Sequence, residues 1–270
     1  MKKELVKQDF PLSQGQLNFL KDYKAHKLMV ITSRILLLAV FLLFWEVSVS
    51  LGLIDSFFFS SPRRIASLFW EMTKDNSIWI HIGITLWETI ISFLLVTLLS
   101  ILVAISLFFF PRLAEVLEPA LVVCNSLPKS ALAPLIIVWL GTGMKTIIIA
   151  GISVAVFGSI INMYTGFSQV EEEKIKLIYT LGGTKRDTLT KLILPSSISV
   201  IISNMKVNIG LSLVGVIIGE FLAAKRGLGY LIIYGSQIFQ LDLLIMSILI
   251  LCIIAVGLYQ IINMIEKKWV

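Results

Sequence analysis

Three charged residues, Glu46, Lys206 and Glu220, lie in otherwise apolar stretches of this sequence. Burying a charge there is costly, so each is a candidate for function. Such groups could conduct ions or protons, guide a charged solute or form an ion pair between helices. Lys206 is near the middle of its stretch, where a role in a solute path or an ion pair competes with a side chain that extends to the membrane surface. Glu220 ends its stretch, so we expect its carboxylate to reach water.

The sequence offers no set of residues for catalysis or for metal binding. A nucleotide-binding P-loop needs a Gly followed by Lys, and no Gly in this chain precedes a Lys. The two histidines, His26 and His81, are far apart and fall outside the predicted spans. A membrane enzyme would require clustered His, Asp or Ser at a membrane face, and we find no such cluster. We therefore expect no catalytic residue, metal or cofactor in this chain.

The composition is that of a protein embedded in lipid. Hydrophobic residues make up 57% of the 270 residues, charged residues only 15%, and the mean hydropathy is +0.92. Soluble domains are about 45–50% apolar and about 25% charged. The net charge of +6 does not indicate nucleic-acid binding, because the basic residues are not clustered with aromatic residues on a polar face. The high hydrophobic share and the low charged share predict a polytopic membrane protein that is surrounded by the lipid bilayer.

Hydropathy predicts an all-α bundle of about six spans. A span needs about 20 mainly apolar residues. Five clear spans are predicted at residues 35–54, 89–110, 146–167, 196–219 and 243–265. Gly215 and Gly219 in the fourth of these are spaced for close helix packing, either within one subunit or at a dimer seam.

The sixth predicted span, residues 117–140, contains Pro119, Pro128 and Pro134. Three prolines break the hydrogen-bond ladder of a helix. Irregular backbone at membrane depth needs cover from protein or from a water-filled cavity. We therefore expect this segment inside the bundle, with its break near a translocation path. The candidate path residues are Asn125, Pro128, Lys129, Pro134, Lys206 and Glu220.

The distribution of basic residues predicts that both termini are cytoplasmic. The tail 1–29 would then be cytoplasmic, residues 30–270 would form the membrane domain, and residues 168–195 would form a cytoplasmic loop. Fifteen basic residues then face the cytoplasm: Lys2, Lys3, Lys7, Lys21, Lys24, Lys27, Arg34, Arg112, Lys174, Lys176, Lys185, Arg186, Lys191, Lys267 and Lys268. Six face outward: Arg63, Arg64, Lys74, Lys145, Lys225 and Arg226.

The loop at 168–195 has the pattern of two short helices around a glycine turn. Three acidic residues open it, as suits the positive end of a helix: Glu171, Glu172 and Glu173. The first helix should run through Leu181 and break at Gly182-Gly183. Thr184 and Asp187 are spaced for a capping box that starts the second helix. Pro195 should end that helix, and the hairpin is either a docking element for another subunit or a solvated surface feature.

This loop resembles the EAA loop of ABC-importer permeases. The pattern of that loop is E-A-A, three residues, Gly, nine residues, and I-x-L-P, which is similar to Gly182 followed by Leu192-Ile193-Leu194-Pro195. The E-A-A positions differ and hold Lys176, Leu177 and Ile178. The resemblance implies these residues for contact with an ATPase: Glu171, Glu172, Glu173, Lys176, Gly182, Gly183, Lys185, Arg186, Leu194 and Pro195.

Further segments resemble the nitrate/sulfonate/taurine branch of these permeases. They are Ser60-Ser61-Pro62, Thr85-Leu86, Leu127-Pro128-Lys129-Ser130-Ala131-Leu132-Ala133-Pro134-Leu135, Trp139-Leu140-Gly141-Thr142-Gly143, Gly219-Glu220 and Gly227-Leu228-Gly229-Tyr230. One departure is Glu88, which stands where the T-L-x-R pattern of the branch has Arg.

The resemblance implies a type I permease in a bacterial inner membrane. Such a permease pairs with a second copy, binds two ATP-binding subunits that hold ATP and Mg²⁺, and receives solute from an extracytoplasmic binding protein. The solute would be small and polar, either anionic or heterocyclic. The alternative is an ion- or proton-coupled secondary transporter that uses Glu46, Lys206 and Glu220. Such transporters commonly show internal repeats, and we find none in this sequence.

Overall fold

A computed structural model describes residues 13–269, and all their regular elements are helical. This confirms the predicted all-α fold. The α-helices are α1 (Gln14–Ser50), α2 (Ser56–Phe59), α3 (Pro62–Lys74), α4 (Ser77–Phe109), α5 (Pro111–Ser126), α6 (Lys129–Leu140), α7 (Met144–Ser168), α8 (Glu172–Thr180), α9 (Lys185–Asp187), α10 (Leu194–Ser196), α11 (Ile198–Ala223), α12 (Leu228–Gln237) and α13 (Leu241–Trp269), with a π-helix (Thr188–Ile193) between α9 and α10. Lys2, Lys3, Lys7 and the side chain of Lys268 lie outside the described part, as do the first twelve residues of the predicted tail.

The described chain divides into two compact units between Arg63 and Arg64. In the first unit, α1 starts at a capping box between Ser13 and Gln16, so it begins within the predicted tail. It ends at Ser50, four residues before the predicted end, because Gly52 adopts a left-handed conformation (φ 69°). Within this unit Glu46 accepts a hydrogen bond from the backbone N–H of Arg63 at 3.0 Å.

The second unit is built on α4, α7 and α11, which pack closely because small residues face one another. A Cβ added at Gly215 would lie 2.7 Å from the Cα of Gly151, and one at Gly219 would lie 2.9 Å from the Cα of Ile147. Gly151 in turn faces the side chain of Ser92. Small residues allow such close approach of helix backbones. Gly215 and Gly219 therefore pack within one subunit, which was one of the two predicted alternatives.

Five described helices are long and apolar enough to cross a membrane, and α5 with α6 would make six if that bent pair is one span. This agrees with the predicted number of about six. Helix α4 begins at Ser77, twelve residues before the predicted start of the second span, because apolar residues continue on both sides of a single acidic residue, Glu88. The inner or outer location of the two termini stays a prediction.

Helices α5 and α6 meet at an angle of 96°. Only Pro128 marks the break, and Pro119 and Pro134 lie within their helices. Lys129 Nζ donates to the carbonyl oxygens of Cys124 and Asn125, so it occupies acceptors that the end of α5 leaves open.

The prediction that this segment lies inside the bundle was wrong for the single chain. Three residues of the pair are buried, Ala114, Ala133 and Ile136, while most of the others are exposed. One apolar face of α5 packs on the second unit, where Ala114 lies in a cluster with Leu107 and Ile160.

Candidate functional site

The first arm of the hairpin is α8, which begins at the three predicted acidic residues. Glu171 is the N-cap residue, and Glu172 and Glu173 lie in the first turn. Negative charge there is favourable next to the unpaired N–H groups of a helix start. Two exposed ion pairs follow, from Lys174 to Glu171 at 3.0 Å and from Lys176 to Glu172 at 3.3 Å. Exposed pairs contribute little to stability, so these side chains can exchange their partners for charged groups of another molecule at little cost.

A glycine turn ends the first arm where the sequence predicted it. The N–H of Gly183 donates to the carbonyl oxygen of Ile178 at 2.8 Å, and Gly182 is left-handed with φ 81°. Glycine is favoured at such a helix end because a Cβ disfavours positive φ. A Cβ on Gly183 would also lie 2.5 Å from Cγ2 of Ile178 and 2.9 Å from its carbonyl oxygen. Both glycines are therefore required by the geometry of the turn.

The second arm starts at the predicted capping box. The N–H of Asp187 donates to Thr184 Oγ1 at 3.2 Å, and the N–H of Thr184 donates to Asp187 Oδ2 at 2.9 Å. The Lys191 ammonium lies 2.7 Å from Asp187 Oδ1. The hydrogen bond from Lys191, together with those from Thr184, holds the pKa of the Asp187 carboxyl well below its usual range. Asp187 therefore stays ionised and keeps the cap formed over the physiological pH range.

The prediction that Pro195 ends the second arm was wrong. Helical backbone continues through Pro195 as far as Ser196, and the irregular residue is Ser197 (φ −97°, ψ 5°). A π-helix, Thr188–Ile193, comes just before the proline. The proline ring crowds the carbonyl four residues earlier in an α-helix. The wider π turn accommodates this ring, so the arm passes into α11 almost without a break.

The base of the hairpin is anchored in the core, whereas its tip is exposed. Ile193 is fully buried in a cluster with Ala104, Met163 and Phe167. At the tip the apolar side chains of Leu177, Tyr179 and Leu181 are 57%, 44% and 77% exposed. Lys185 and Arg186 are exposed beside them, Leu194 is half-buried, and Pro195 is exposed. The base of the hairpin is thus packed against α4 and α7, while the side chains at its tip stay exposed.

At the opposite end of the same helices, Glu220 is fully buried. Thr85 Oγ1 donates to Glu220 Oε1 at 2.7 Å, and the N–H of Gly229 donates to Oε2 at 2.5 Å. The N–H of Leu228 in turn donates to Thr85 Oγ1 at 2.8 Å. The prediction that Glu220 reaches water was wrong, because the chain after α11 folds back over its carboxylate.

This fold-back depends on Gly227, whose φ is 118°. A Cβ there would lie 2.4 Å from Cδ of Glu220. The N–H of Gly227 donates to Nδ1 of His81 at 2.9 Å. His81, which the sequence left without a role, therefore fastens the loop after α11 to the start of α4.

A second carboxyl group, that of Glu88, lies beside Glu220. Its side chain is 2% exposed, and its Oε2 has no hydrogen-bond partner. It lines a cavity of about 700 Å³, whose other walls are Gly83, Ile84, Trp87, Thr142, Gly143, Met144, Ile147, Ala223, Ala224, Lys225 and Arg226. Sequence reasoning noted Glu88 only as a departure from a family pattern. Its spacing of three from Thr85, which puts both on one face of α4, was the available signal.

Lys206 forms an ion pair between helices. Its Nζ lies 2.5 Å from Glu266 Oε2 and 3.2 Å from Asn263 Oδ1, both on α13. Its ammonium lies 5.8 Å from the centre of the Tyr259 ring. An inter-helix pair was one of the predicted alternatives.

The structure does not gather the six predicted path residues in one place. Asn125, Pro128, Lys129 and Pro134 lie on the bent pair, while Lys206 and Glu220 are fourteen residues, or about 21 Å, apart on α11. Within residues 13–269, no three His, Cys, Asp or Glu side chains are grouped as they would be around a metal ion.

Residues 96–269 match the family described as binding-protein-dependent transport system inner membrane component. The match covers more than half of the chain. The chain belongs to this family. It is therefore a multi-pass membrane permease of an ABC importer, a transport subunit and not an enzyme.

The permease is similar to curated relatives over most of its length. It is 28% identical to a probable ABC transporter permease protein of Haemophilus influenzae (83% of this chain and 91% of the relative). It is 26% identical to the riboflavin transport system permease RibX of Chloroflexus aurantiacus (85% and 86%). It is 25% identical to the taurine transport system permease TauC of Escherichia coli (81% and 81%). The predicted relationship to the taurine-type branch is confirmed.

A solved structure has the same fold. A chain of the inward-facing MetNI methionine ABC transporter superposes with a TM-score of 0.59 at 14% identity, over 76% of the permease and 98% of that chain. At this identity the likeness concerns the fold alone, and it confirms the predicted type I architecture.

Proposed function

We propose that the permease forms the path for a small polar solute and is driven through the hairpin at residues 171–195. A buried base and an exposed tip with apolar and charged residues are what a docking lever requires. The base at Ile193 touches α4 and α7, so movement of the tip biases the arrangement of the whole bundle. A partner that binds one arrangement more tightly shifts the equilibrium between inward- and outward-open states.

The partners follow from this mechanism. Two ATP-binding subunits hold ATP and Mg²⁺ and engage the hairpins of two permease copies on the cytoplasmic side. An extracytoplasmic binding protein delivers the solute to the opposite end, where the cavity at Glu88 opens. The bias of Lys and Arg toward the hairpin side supports this orientation, with both termini cytoplasmic.

The alternative of a secondary transporter loses its support in the residues on which it relied. Lys206 is paired with Glu266, and Glu46 accepts a backbone hydrogen bond from Arg63. Related permeases are named for riboflavin and for taurine, and this range supports a small heterocyclic or charged polar solute.

Co-purification with a candidate ATP-binding subunit tests the coupling. Reversal of both tip charges, Lys185→Glu with Arg186→Glu, should abolish co-purification, because the docking surface then carries the wrong charge. Arg112→Glu is the matched control, since it reverses an exposed cation on α5 that is predicted to lie on the same side. Full association and ATP-dependent uptake after loss of the whole tip would contradict the proposal.

A further inference from the structure

The cavity at Glu88 lies at the far end of the bundle from the hairpin. Helix α7 separates the two ends by its 25 residues, a length of about 37 Å. The cavity is formed by the first half of α4, the start of α7 and the residues that follow α11. Its volume of about 700 Å³ is in the range of pockets that hold small organic ligands.

The two carboxyl groups at this end differ in their hydrogen bonding. Glu220 uses both oxygens, one for Thr85 and one for Gly229, so its role is to hold the loop after α11. Glu88 is equally buried, but its Oε2 accepts no hydrogen bond from the described chain. An acceptor withdrawn from water without a partner costs about 1–3 kcal/mol, and more when it is charged. The Glu88 carboxyl shares a hydrogen bond with Glu220, so the unpartnered acceptor at this place is Oε2 of Glu88, which a cation or an N–H donor can satisfy.

The other residues that line the cavity indicate which further groups of a solute they would bind. Trp87, Met144 and Ile147 offer apolar surface for a carbon body or a flat ring. Lys225 and Arg226 are exposed cations that line the same cavity, and they suit acceptor or anionic atoms. The cavity thus presents an acceptor and donors to one ligand.

We infer that this cavity is a solute site selective for small molecules that carry an amine, amidine or ring-amino N–H group, with Glu88 as the specificity-determining residue. The inference rests on the proposed transport function and narrows its solute class. The donor group binds Glu88 Oε2, and acceptor atoms of the same solute face Lys225 and Arg226. Solutes that have only acceptor atoms leave Oε2 of Glu88 without a donor, so they bind more weakly.

The test uses the permease with its ATP-binding subunit in lipid nanodiscs and matched probe pairs. Taurine is compared with ethanesulfonate, and 4-amino-2-methylpyrimidine with 2-methylpyrimidine, by ligand-observed NMR titration. Within each pair, only one member carries the amino group. We expect the amino member to bind about tenfold more tightly, which is the preference that one well-placed hydrogen bond provides.

The variant Glu88→Leu, which has no acceptor, should bring the preference close to one, and Glu88→Asp should keep part of it. Glu118→Gln, which changes an exposed carboxylate on α5, should leave the preference intact. An equal affinity within both pairs, or a preference unchanged in Glu88→Leu, would show that Glu88 does not bind the donor group and would overturn the inference. The absence of binding by every probe would overturn it as well. Dissociation of the ATP-binding subunit from the unmodified permease would instead count against the proposed function. It would leave the inference about Glu88 untouched, because Glu88 lies far from the hairpin.

Discussion

The hydrogen bonds at one end of the bundle join residues that are close in sequence, and those at the other end join residues that are far apart in sequence. At the hairpin the structure comes from neighbours in sequence: the Thr184 cap bonds to a residue three positions away, and Gly183 bonds to Ile178. At the cavity end, Thr85 and Glu220 are 135 positions apart, and His81 and Gly227 are 146 apart. The hairpin can thus keep its shape while a partner moves it, whereas the cavity end keeps its shape only while α4 and α11 stay together. This difference suits the proposed lever at the hairpin end.

The largest expected effect concerns Glu220 at the cavity end. Glu220→Ala removes the acceptor of Thr85 Oγ1 and of the Gly229 N–H and leaves both buried without partners. Two such losses should lower the free energy of unfolding by about 3 kcal/mol. Thermal unfolding of the purified permease, monitored by size-exclusion chromatography of heated samples, measures the loss of stability. Glu115→Ala, at an exposed position on α5, is the control and should unfold like the unmodified chain. Equal stability of both variants would show that the long-range network does not hold this end.

Disruption of the glycine turn should lower the stability of the whole protein less than Glu220→Ala does, but it should disrupt the hairpin. In Gly183→Val the side chain collides with Ile178, so the two arms must separate, at a cost of about 1–3 kcal/mol. The unfolding temperature of the bundle should change little, while association with the ATP-binding subunit should fall sharply. Gly210→Val is the control, because a Cβ there meets no atom within 4 Å. A uniform loss of bundle stability in Gly183→Val would mean that the hairpin is not an independent element.

A substitution of Lys206 distinguishes a structural role of this residue from a role in the solute path. Lys206→Met removes the ion pair with Glu266, and the partly exposed pair should contribute about 1–2 kcal/mol. Since the ammonium lies between α11 and α13, solute uptake per folded transporter should stay the same. Uptake in proteoliposomes, normalised to folded protein, provides the measurement, with Lys145→Met at an exposed position of α7 as the control. A selective loss of uptake would place Lys206 in the path after all.

The smallest expected effect belongs to the cap of the second arm. Thr184→Ala removes the side-chain half of the capping box and should weaken the hairpin by about 1 kcal/mol. Hydrogen exchange of the amides around Asp187 reports this loss without contributions from the bundle. A protection factor that does not change would contradict the capping role.

The same cap predicts the direction of a pH dependence. The pKa of Asp187 is lower in the folded hairpin than its ordinary value, so its stabilisation is complete above the ordinary value. The stabilisation is lost as pH falls through the lower folded value. The difference in amide protection between the unmodified chain and Asp187→Asn should therefore be constant near neutral pH and vanish in acid. An increase of the difference on acidification would contradict this assignment.

Local patterns explain which features the sequence predicted. The glycine pair Gly182-Gly183 and the spacing of Thr184 from Asp187 predicted the hairpin correctly, because turn and cap geometry involves neighbours only. Pro195 was misjudged because a π-helix, which has no simple sequence pattern, accommodates its ring. Glu220 was expected in water because its donors, Thr85 and Gly229, come from tertiary folding. The same reason hid the cavity at Glu88.

Site-specific photo-crosslinking tests the central claim that the hairpin is the lever of the ATP-binding subunit. A photoreactive amino acid at Leu181, on the exposed tip, is compared with one at Lys225, at the cavity. We expect an adduct with the ATP-binding subunit from position 181 and none from position 225. An adduct from position 225, or none from 181 in a complex that hydrolyses ATP and transports solute, would contradict the account.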